Sequence, residues 1–297
     1  MMGILAGSAA YALSGIAAVI DKYLLREHIP SAPAYAFFVG VLGLFALALA
    51  PFGFHILPAA DLVLALFSGV VFIGALLAFY EALRKSDSSR VVPLVGALIP
   101  IFLIFFAWIG YGTIPTQTQL VAIAIFIAGG LFLAPRGEGR SFKVPAIVLS
   151  AVSGGLLAFS FLLLIEVFKS SPFLSAFIWS RLGSVLAAVG LLAFSGVRGA
   201  VVSTLRRAPR RSYVFFFLNK GVGAASFFLL NFALALGPGN VVASLKGIEY
   251  LTVFALTAVM THVAPRFIQE AFDRSSLIAK SAGIVMLAAG FIVLAVV

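Results

Sequence analysis

The run Leu62–Leu83, LVLALFSGVVFIGALLAFYEAL, decides the fold class. Its one charged residue, Glu81, stands near its end, and Arg84 and Lys85 follow at once. It shows no alternation of polar and apolar residues, and at about 1.5 Å per residue a helix of this length crosses a hydrocarbon core about 30 Å thick. Runs of the same kind lie on both sides of it. They are Gly3–Leu25, Ala32–Phe54, Val91–Gly112 and Leu120–Pro135, then Val144–Phe168, Pro172–Phe194, Ser212–Leu236, Val241–Val263 and Leu277–Val297. In lipid a segment must satisfy its own backbone, and little period-2 alternation rules against a barrel, so each run is expected to be a helix. The expected fold is therefore all-α and integral to the membrane, with ten transmembrane helices.

Composition agrees. The chain has 297 residues, 63% hydrophobic and 10% charged, with mean hydropathy +1.18, far more apolar surface than a soluble core hides. It has no cysteine, which excludes disulfides, thiolate metal sites and cysteine nucleophiles. The net charge of +10 suggests nucleic acid only on a soluble basic face, and here the basic residues sit in short loops. Loops after the odd-numbered runs hold Lys22 and Arg26; Arg84, Lys85 and Arg90; Arg136, Arg140 and Lys143; Arg198, Arg206, Arg207, Arg210 and Arg211; and Arg266, Arg274 and Lys280. The other side carries little but Lys169. The positive-inside rule then predicts a multi-pass protein of the cell (plasma or inner) membrane, odd-numbered loops cytoplasmic and both termini outside. Met1–Ile20 has no Lys or Arg before its apolar stretch, so it reads as a retained first helix rather than a signal peptide.

Weak internal repetition is present. An offset of 150 places Pro115 on Pro265 and Gln119 on Gln269; an offset of 140 places Ala36, Phe37, Leu42 and Gly43 on Ala176, Phe177, Leu182 and Gly183; and Gly130 falls on Gly290. The charged stretch Arg136–Lys143 reads as the hinge, dividing the chain into residues 1–140 and 141–297. Five helices is an odd number, so the second repeat enters the membrane upside down relative to the first, the inverted-repeat plan of many transporters.

The order of short motifs resembles the drug/metabolite transporter superfamily, in its ten-helix EamA-type branch. The residues that carry the resemblance are Ala78-Phe79-Tyr80-Glu81-Ala82-Leu83, then Val91-Val92-Pro93-Leu94 through Ile99-Pro100. In the second half they are Phe232-Ala233-Leu234-Ala235-Leu236, Val241 to Leu245, Glu249-Tyr250, Pro265 with Glu270, Lys280 and Gly290. The family's Gly-Glu after the fourth helix is missing around Tyr111 to Pro115, and Tyr250 stands where Pro is usual. The resemblance implies alternating access through a central cavity between two inverted halves. It names no solute, since members carry amino acids, sugars, nucleotide sugars, phosphorylated metabolites and drugs.

Ionisable residues inside membrane helices are costly and point to function or to pairing. Arg181, Lys220 and Glu249 each lie about nine residues into a run, hence roughly 13 Å deep, and Lys246 stands three before Glu249 on the same helix face. These four, with Trp179, Asn219, Asn231 and Tyr250, are the expected substrate-binding residues, and Glu249 is a candidate for proton coupling. If Lys246 and Glu249 neutralise each other, Arg181 and Lys220 remain to attract a carboxylate or phosphate. The plainer reading makes the four structural ion pairs. Asp21, Lys22, Glu81, Arg84, Lys85 and Glu166 read as helix-end anchors, with Asp21-Lys22 also placed to gate the cytoplasmic mouth.

No HExxH, paired-carboxylate or phosphate-loop motif occurs, and His28, His55 and His262 are far apart. The expectation is thus a non-enzyme without cofactor or metal: a secondary transporter, not driven by ATP, of a small anionic or zwitterionic metabolite. A lipid-headgroup flippase and an exporter of lipophilic cations are the alternatives. Expected partners are the solute and membrane lipids, with anionic lipid at the basic loops such as Arg198–Arg211, and no nucleic acid. The assembly is expected to be a monomer or homodimer.

Overall fold

A computed structural model of the chain describes residues 2–27, 29, 31–112, 114–133, 144–207, 210–236, 242, 245–265 and 274–295. The elements are helices: α1 (Met2–Glu27), α2 (Ala32–Val41), α3 (Ala59–Lys85), α4 (Ser88–Tyr111), α5 (Gln117–Leu133), α6 (Val144–Phe168), α7 (Phe173–Leu191), α8 (Ser195–Arg207), α9 (Arg210–Leu236), α10 (Gly247–Val263) and α11 (Arg274–Ala295). Helix α2 continues as a 3-10 stretch over Leu42–Phe52. Among the described residues, eight segments are long and apolar enough to cross a membrane: α1, α2 with its continuation, α3, α4, α6, α7, α9 and α11. Helices α5 and α10 are also apolar, and their described parts are 17 residues each, about 25 Å of rise, so the described residues match eight of the ten expected spans at full length. The expected hinge, 136–143, lies outside the described residues, as do Gln269 and Glu270.

One stretch expected to be loop is not. Within the basic segment 195–207 the sequence SGVRGAVVSTLRR forms α8, which lays Val197, Ala200, Val201 and Thr204 inward and packs on α2. Those positions follow the i, i+3, i+4, i+7 spacing of one helical face, while Arg198 and Arg206 are exposed.

The surface is the reverse of a soluble protein's. Phe45, Leu131, Leu218, Phe228 and Val285 are all more than 60% exposed, as a lipid-facing belt requires. The interior holds, beside large apolar side chains such as Phe126 and Ile73, many small and hydroxylated ones, through which helices approach closely. A Cβ on Gly69 of α3 would run into the Ser180 carbonyl oxygen of α7, and one on Gly183 of α7 would run into the Leu66 carbonyl oxygen. The two backbones therefore touch, and the Ser68 and Ser180 hydroxyls bond across the seam at 2.9 Å. Gly129 of α5 and Gly283 of α11 make a second contact of this kind, closed by Leu133 and Leu287.

Polar contacts show how the helices align. The Lys22 ammonium donates to the carbonyl oxygens of Leu83 and of Ser86 (2.7 Å), which cap the C-terminal end of α3 with a cation where its dipole is negative. Arg90 donates to the Leu133 carbonyl oxygen at 3.3 Å and to Ser276 at 3.1 Å, and Lys280 reaches Asp87 at 3.1 Å. The C-terminal ends of α1, α3 and α5 thus share one end of the bundle with the N-terminal ends of α4 and α11. Lys22, Arg26, Arg84, Lys85, Arg90 and Lys280 gather there, so we refer to it as the basic end. At the opposite end Ser170 and Ser171 donate to Asp61 at 2.7 and 2.6 Å, and Ser175 accepts from the His55 N–H at 3.0 Å.

Gly69→Ala is expected to lower the melting temperature in detergent by several degrees, an overpacking cost of about 1–3 kcal/mol. Gly221→Ala, on the α9 face where an added Cβ meets nothing within 4 Å, is expected to leave it unchanged or raised. Thermal scans monitored by size exclusion check both.

Candidate functional site

Helix α1 is apolar enough to span the bilayer, yet it carries Tyr11, Ser14 and Asp21 at spacings of three and seven, on one face. That face meets α9 and α10. Antiparallel packing on α9 is fixed by two bonds seven residues apart on each helix. Ser226 donates to the Ala10 carbonyl oxygen at 2.9 Å, and the Asn219 amide donates to that of Ala17 at 3.2 Å.

One turn beyond Ala17, Asp21 is 6% exposed and surrounded by donors. The Lys220 ammonium lies 2.7 and 3.0 Å from its two oxygens, and Asn219 Nδ2 and Tyr35 Oη each donate to Oδ1 at 2.5 Å. Lys220 is held in turn against the rings of Tyr35, Phe216 and Tyr80, at 4.9, 5.6 and 5.7 Å from their centroids. Asp21, expected as a helix-end anchor, is therefore the centre of a buried polar cluster. Lys220, expected to be a spare cation, is paired. Closeness in sequence to Arg26 suggests an interfacial position for Asp21. The signal that finds it is its one-face register with Ser14 and Tyr11.

The second pair behaves as its spacing implies. Lys246 Nζ lies 2.5 Å from Glu249 Oε2, a contact of opposite charges rather than an aligned hydrogen bond, and the Ser14 hydroxyl donates to Oε1 at 2.9 Å. Lys246 also sits 5.3 Å from the Tyr11 ring centroid. Since Ser14 lies near the middle of α1, α10 begins near mid-depth, with Glu249 in its first turn where the helix dipole favours an anion. The apolar run from Val241 implies a longer helix; residues 243–244 lie outside the described set. Gly15 makes the fit possible, for a Cβ there would lie 2.9 Å from the Glu249 carbonyl oxygen.

Arg181 stands apart. Its guanidinium carbon lies 4.4 Å from the Phe72 centroid and 5.4 Å from that of Phe177. Phe72 and Tyr80 are eight residues apart on α3, about 12 Å of rise, so Arg181 and Lys220 occupy different depths rather than the single expected layer. Its buried Nε has no hydrogen-bond partner, and among the described residues no carboxylate pairs with it. Of the four expected charges together with Asp21, three are cations and two are anions, and the cation left over is Arg181.

The remaining expected residues divide. Asn219 joins the Asp21 cluster. Trp179 does not: it lies toward the opposite end, packed on Phe54 at 5.4 Å and donating Nε1–H to the His55 carbonyl oxygen at 3.2 Å. Tyr250 is wholly buried, with its hydroxyl pressed against Gly96 of α4, where any Cβ would collide with it. The Asn231 side chain lies outside the described residues. A mainly apolar groove of about 480 Å³, lined by Leu103, Ile104, Ala107, Ile114, Thr116 and Gln119, runs between the ends of α4 and α5, away from all these charges.

Removing one member of a partly buried ion pair strands the other, at a cost of about 3–5 kcal/mol. Asp21→Ala and Lys220→Ala are each expected to lower the melting temperature markedly, and the double variant to lose clearly less than the sum. A double-variant cycle of thermal unfolding in detergent measures the coupling.

Residues 1–135 match the model of the EamA-like transporter family, within the drug/metabolite transporter superfamily. No curated protein matches the chain. A solved structure described only as the crystal structure of a protein is 18% identical, with a TM-score of 0.53 over 96% of this chain and 97% of that one. At that identity the likeness concerns the fold alone. Family match and apolar helices together make this a multi-pass membrane protein.

Proposed function

We propose that this chain, whose residues 1–135 belong to the EamA-like transporter family, is a secondary transporter of a small carboxylate-bearing solute, anionic or zwitterionic. The observation that carries this reading is Arg181, an interior cation whose Nε has no hydrogen-bond partner and which no carboxylate among the described residues pairs with. A buried guanidinium lacking a counter-charge is unstable unless something supplies one, and a carboxylate does so with two parallel hydrogen bonds. The rings of Phe72 and Phe177 lie against the guanidinium, their centroids 4.4 and 5.4 Å from its carbon, and give it an apolar surround in which a charged hydrogen bond is strengthened.

Movement of the solute is by alternating access between two inverted five-helix halves, residues 1–140 and 141–297. Support for this comes from packing. Exchanging α1–α5 with α6, α7, α9, α10 and α11 turns the α1·α9 contact into α6·α3 and the α1·α10 contact into α6·α4, and all four are extensive. The contacts α5·α11, α2·α7 and α4·α10 map onto themselves, as pairs near a two-fold axis do. The basic end is the cytoplasmic one by the positive-inside rule, with both termini outside. Anionic lipid meets the basic face of α8 there.

The flippase alternative draws on the groove between α4 and α5, but its lining carries no charge to hold a headgroup. Export of lipophilic cations places a positive solute beside an unpaired Arg181, which is repulsive.

In a thermal-shift and binding screen over amino acids, monocarboxylates, sugar phosphates and lipophilic cations, carboxylates are expected to stabilise the protein. Arg181→Ala is expected to weaken their binding by about 10- to 100-fold, the loss of a charged hydrogen bond, and Arg181→Lys less. Unchanged carboxylate affinity in Arg181→Ala, or preference for lipophilic cations, overturns the proposal.

A further inference from the structure

The donors around Asp21 are arranged for a carboxylate whoever supplies it. Lys220 Nζ contacts both oxygens at 2.7 and 3.0 Å, and Asn219 Nδ2 and Tyr35 Oη converge on one of them at 2.5 Å. These three donors come from α9 and α2, while the carboxylate comes from α1. Asn219 is locked by its second bond to the Ala17 carbonyl oxygen. Tyr35 is locked by edge contacts with Tyr80 and Phe216, at 4.6 and 5.2 Å between centroids. A cradle set by packing keeps its shape when the carboxylate leaves.

The seam that holds the cradle is built differently from its counterpart in the other half. Between α3 and α7 the backbones touch through Gly69 and Gly183. The exchange of halves turns that pair into α9 with α2, and there the connection runs through side chains: Phe216 against Tyr35 and Phe38, and Lys220 over Tyr35. The cluster lies toward the basic end, about 10 Å along α1 from Ser14 and about 12 Å along α3 from the level of Arg181.

We propose that Lys220, Asn219 and Tyr35 form a second carboxylate-binding site, which in this state is filled by the protein's own Asp21. Asp21 is a tethered surrogate for the solute. A solute carboxylate that takes its place frees α1 from α9 and α2, and return of Asp21 expels the solute and closes that end. This rests on the reading of the solute as a carboxylate, but the cradle binds a carboxylate whether or not Arg181 does.

The test uses acetate as the probe. In Asp21→Ala the seat is vacant, so acetate, compared with chloride at equal ionic strength, is expected to restore at least half of the lost melting temperature. It is expected to do nothing for the wild type, whose seat is filled, or for Asp21→Ala/Lys220→Met, whose cradle is broken. Equal acetate shifts in all three proteins, or none in Asp21→Ala, overturn the proposal. Should Asp21→Ala yield no folded protein, Asp21→Asn keeps the side-chain size. Because the chain has no cysteine, Ala18→Cys, one turn from Asp21, then reports opening. Labelling by a bulky charged maleimide is expected to be at least tenfold faster in Ala18→Cys/Asp21→Asn than in Ala18→Cys alone, and equal rates overturn the proposal. Repeating the acetate titration in Asp21→Ala/Arg181→Ala separates the two ideas: a retained response supports the cradle even if carboxylate binding at Arg181 has failed, and a lost one overturns its independence.

Discussion

Hydrocarbon offers no partner to a polar group, so every charge within this bundle must be answered from within the bundle. The Asp21 carboxylate is where that constraint is met most fully. Three donors from two other helices converge on it, and in meeting it they dictate where α1, α2 and α9 lie relative to one another. The same rule shapes the lesser contacts. Lys22 answers the open carbonyl oxygens at the end of α3, Ser14 and Lys246 answer Glu249, and Arg90 with Lys280 answers Asp87. Since dispersion and hydrogen bonds rather than water bring membrane helices together, these few polar contacts carry more of the architecture than their number suggests.

Where the requirement is not met is equally informative. Arg181 keeps its charge among aromatic rings, without a carboxylate among the described residues. Tyr250 Oη is another unanswered group, but it is pressed against Gly96 with no room for a ligand. Arg181 is half-buried and Tyr250 is sealed by packing, so the two unanswered groups have different meanings.

Much of this was legible in the sequence. Apolar runs such as Leu62–Leu83 located the helices, because lipid imposes length and composition on each of them separately. The Lys246–Glu249 pair followed from a spacing of three on one helix. What could not be read was anything that depends on two distant segments meeting. Asp21 looked interfacial because its partners, Tyr35, Asn219 and Lys220, are far along the chain or on another helix. The single charged layer failed for the same reason: counting residues from a run's edge gives depth, while the position of Arg181 over Phe72 depends on how α7 seats on α3. Helix α8 was hidden by its arginines, which reveal themselves as one face only once Val197, Val201 and Thr204 are seen packing on α2. The start of α10 was hidden because Val241 and Val242 are as apolar as the helix that follows.

The contact between Gly69 and Gly183 has a mechanical meaning beyond close packing. With no side chain interposed, there is nothing at that point to compress or bend, and each helix bears directly on the peptide groups of the other. The hydroxyls of Ser68, Ser180 and Ser184, bonded across it, resist sliding along the helix axes. What such a joint still permits is rotation, as in a fulcrum. Tilting of α7 against α3 would turn on this point, and its leverage would fall far from it, at the aromatic seam near the basic end.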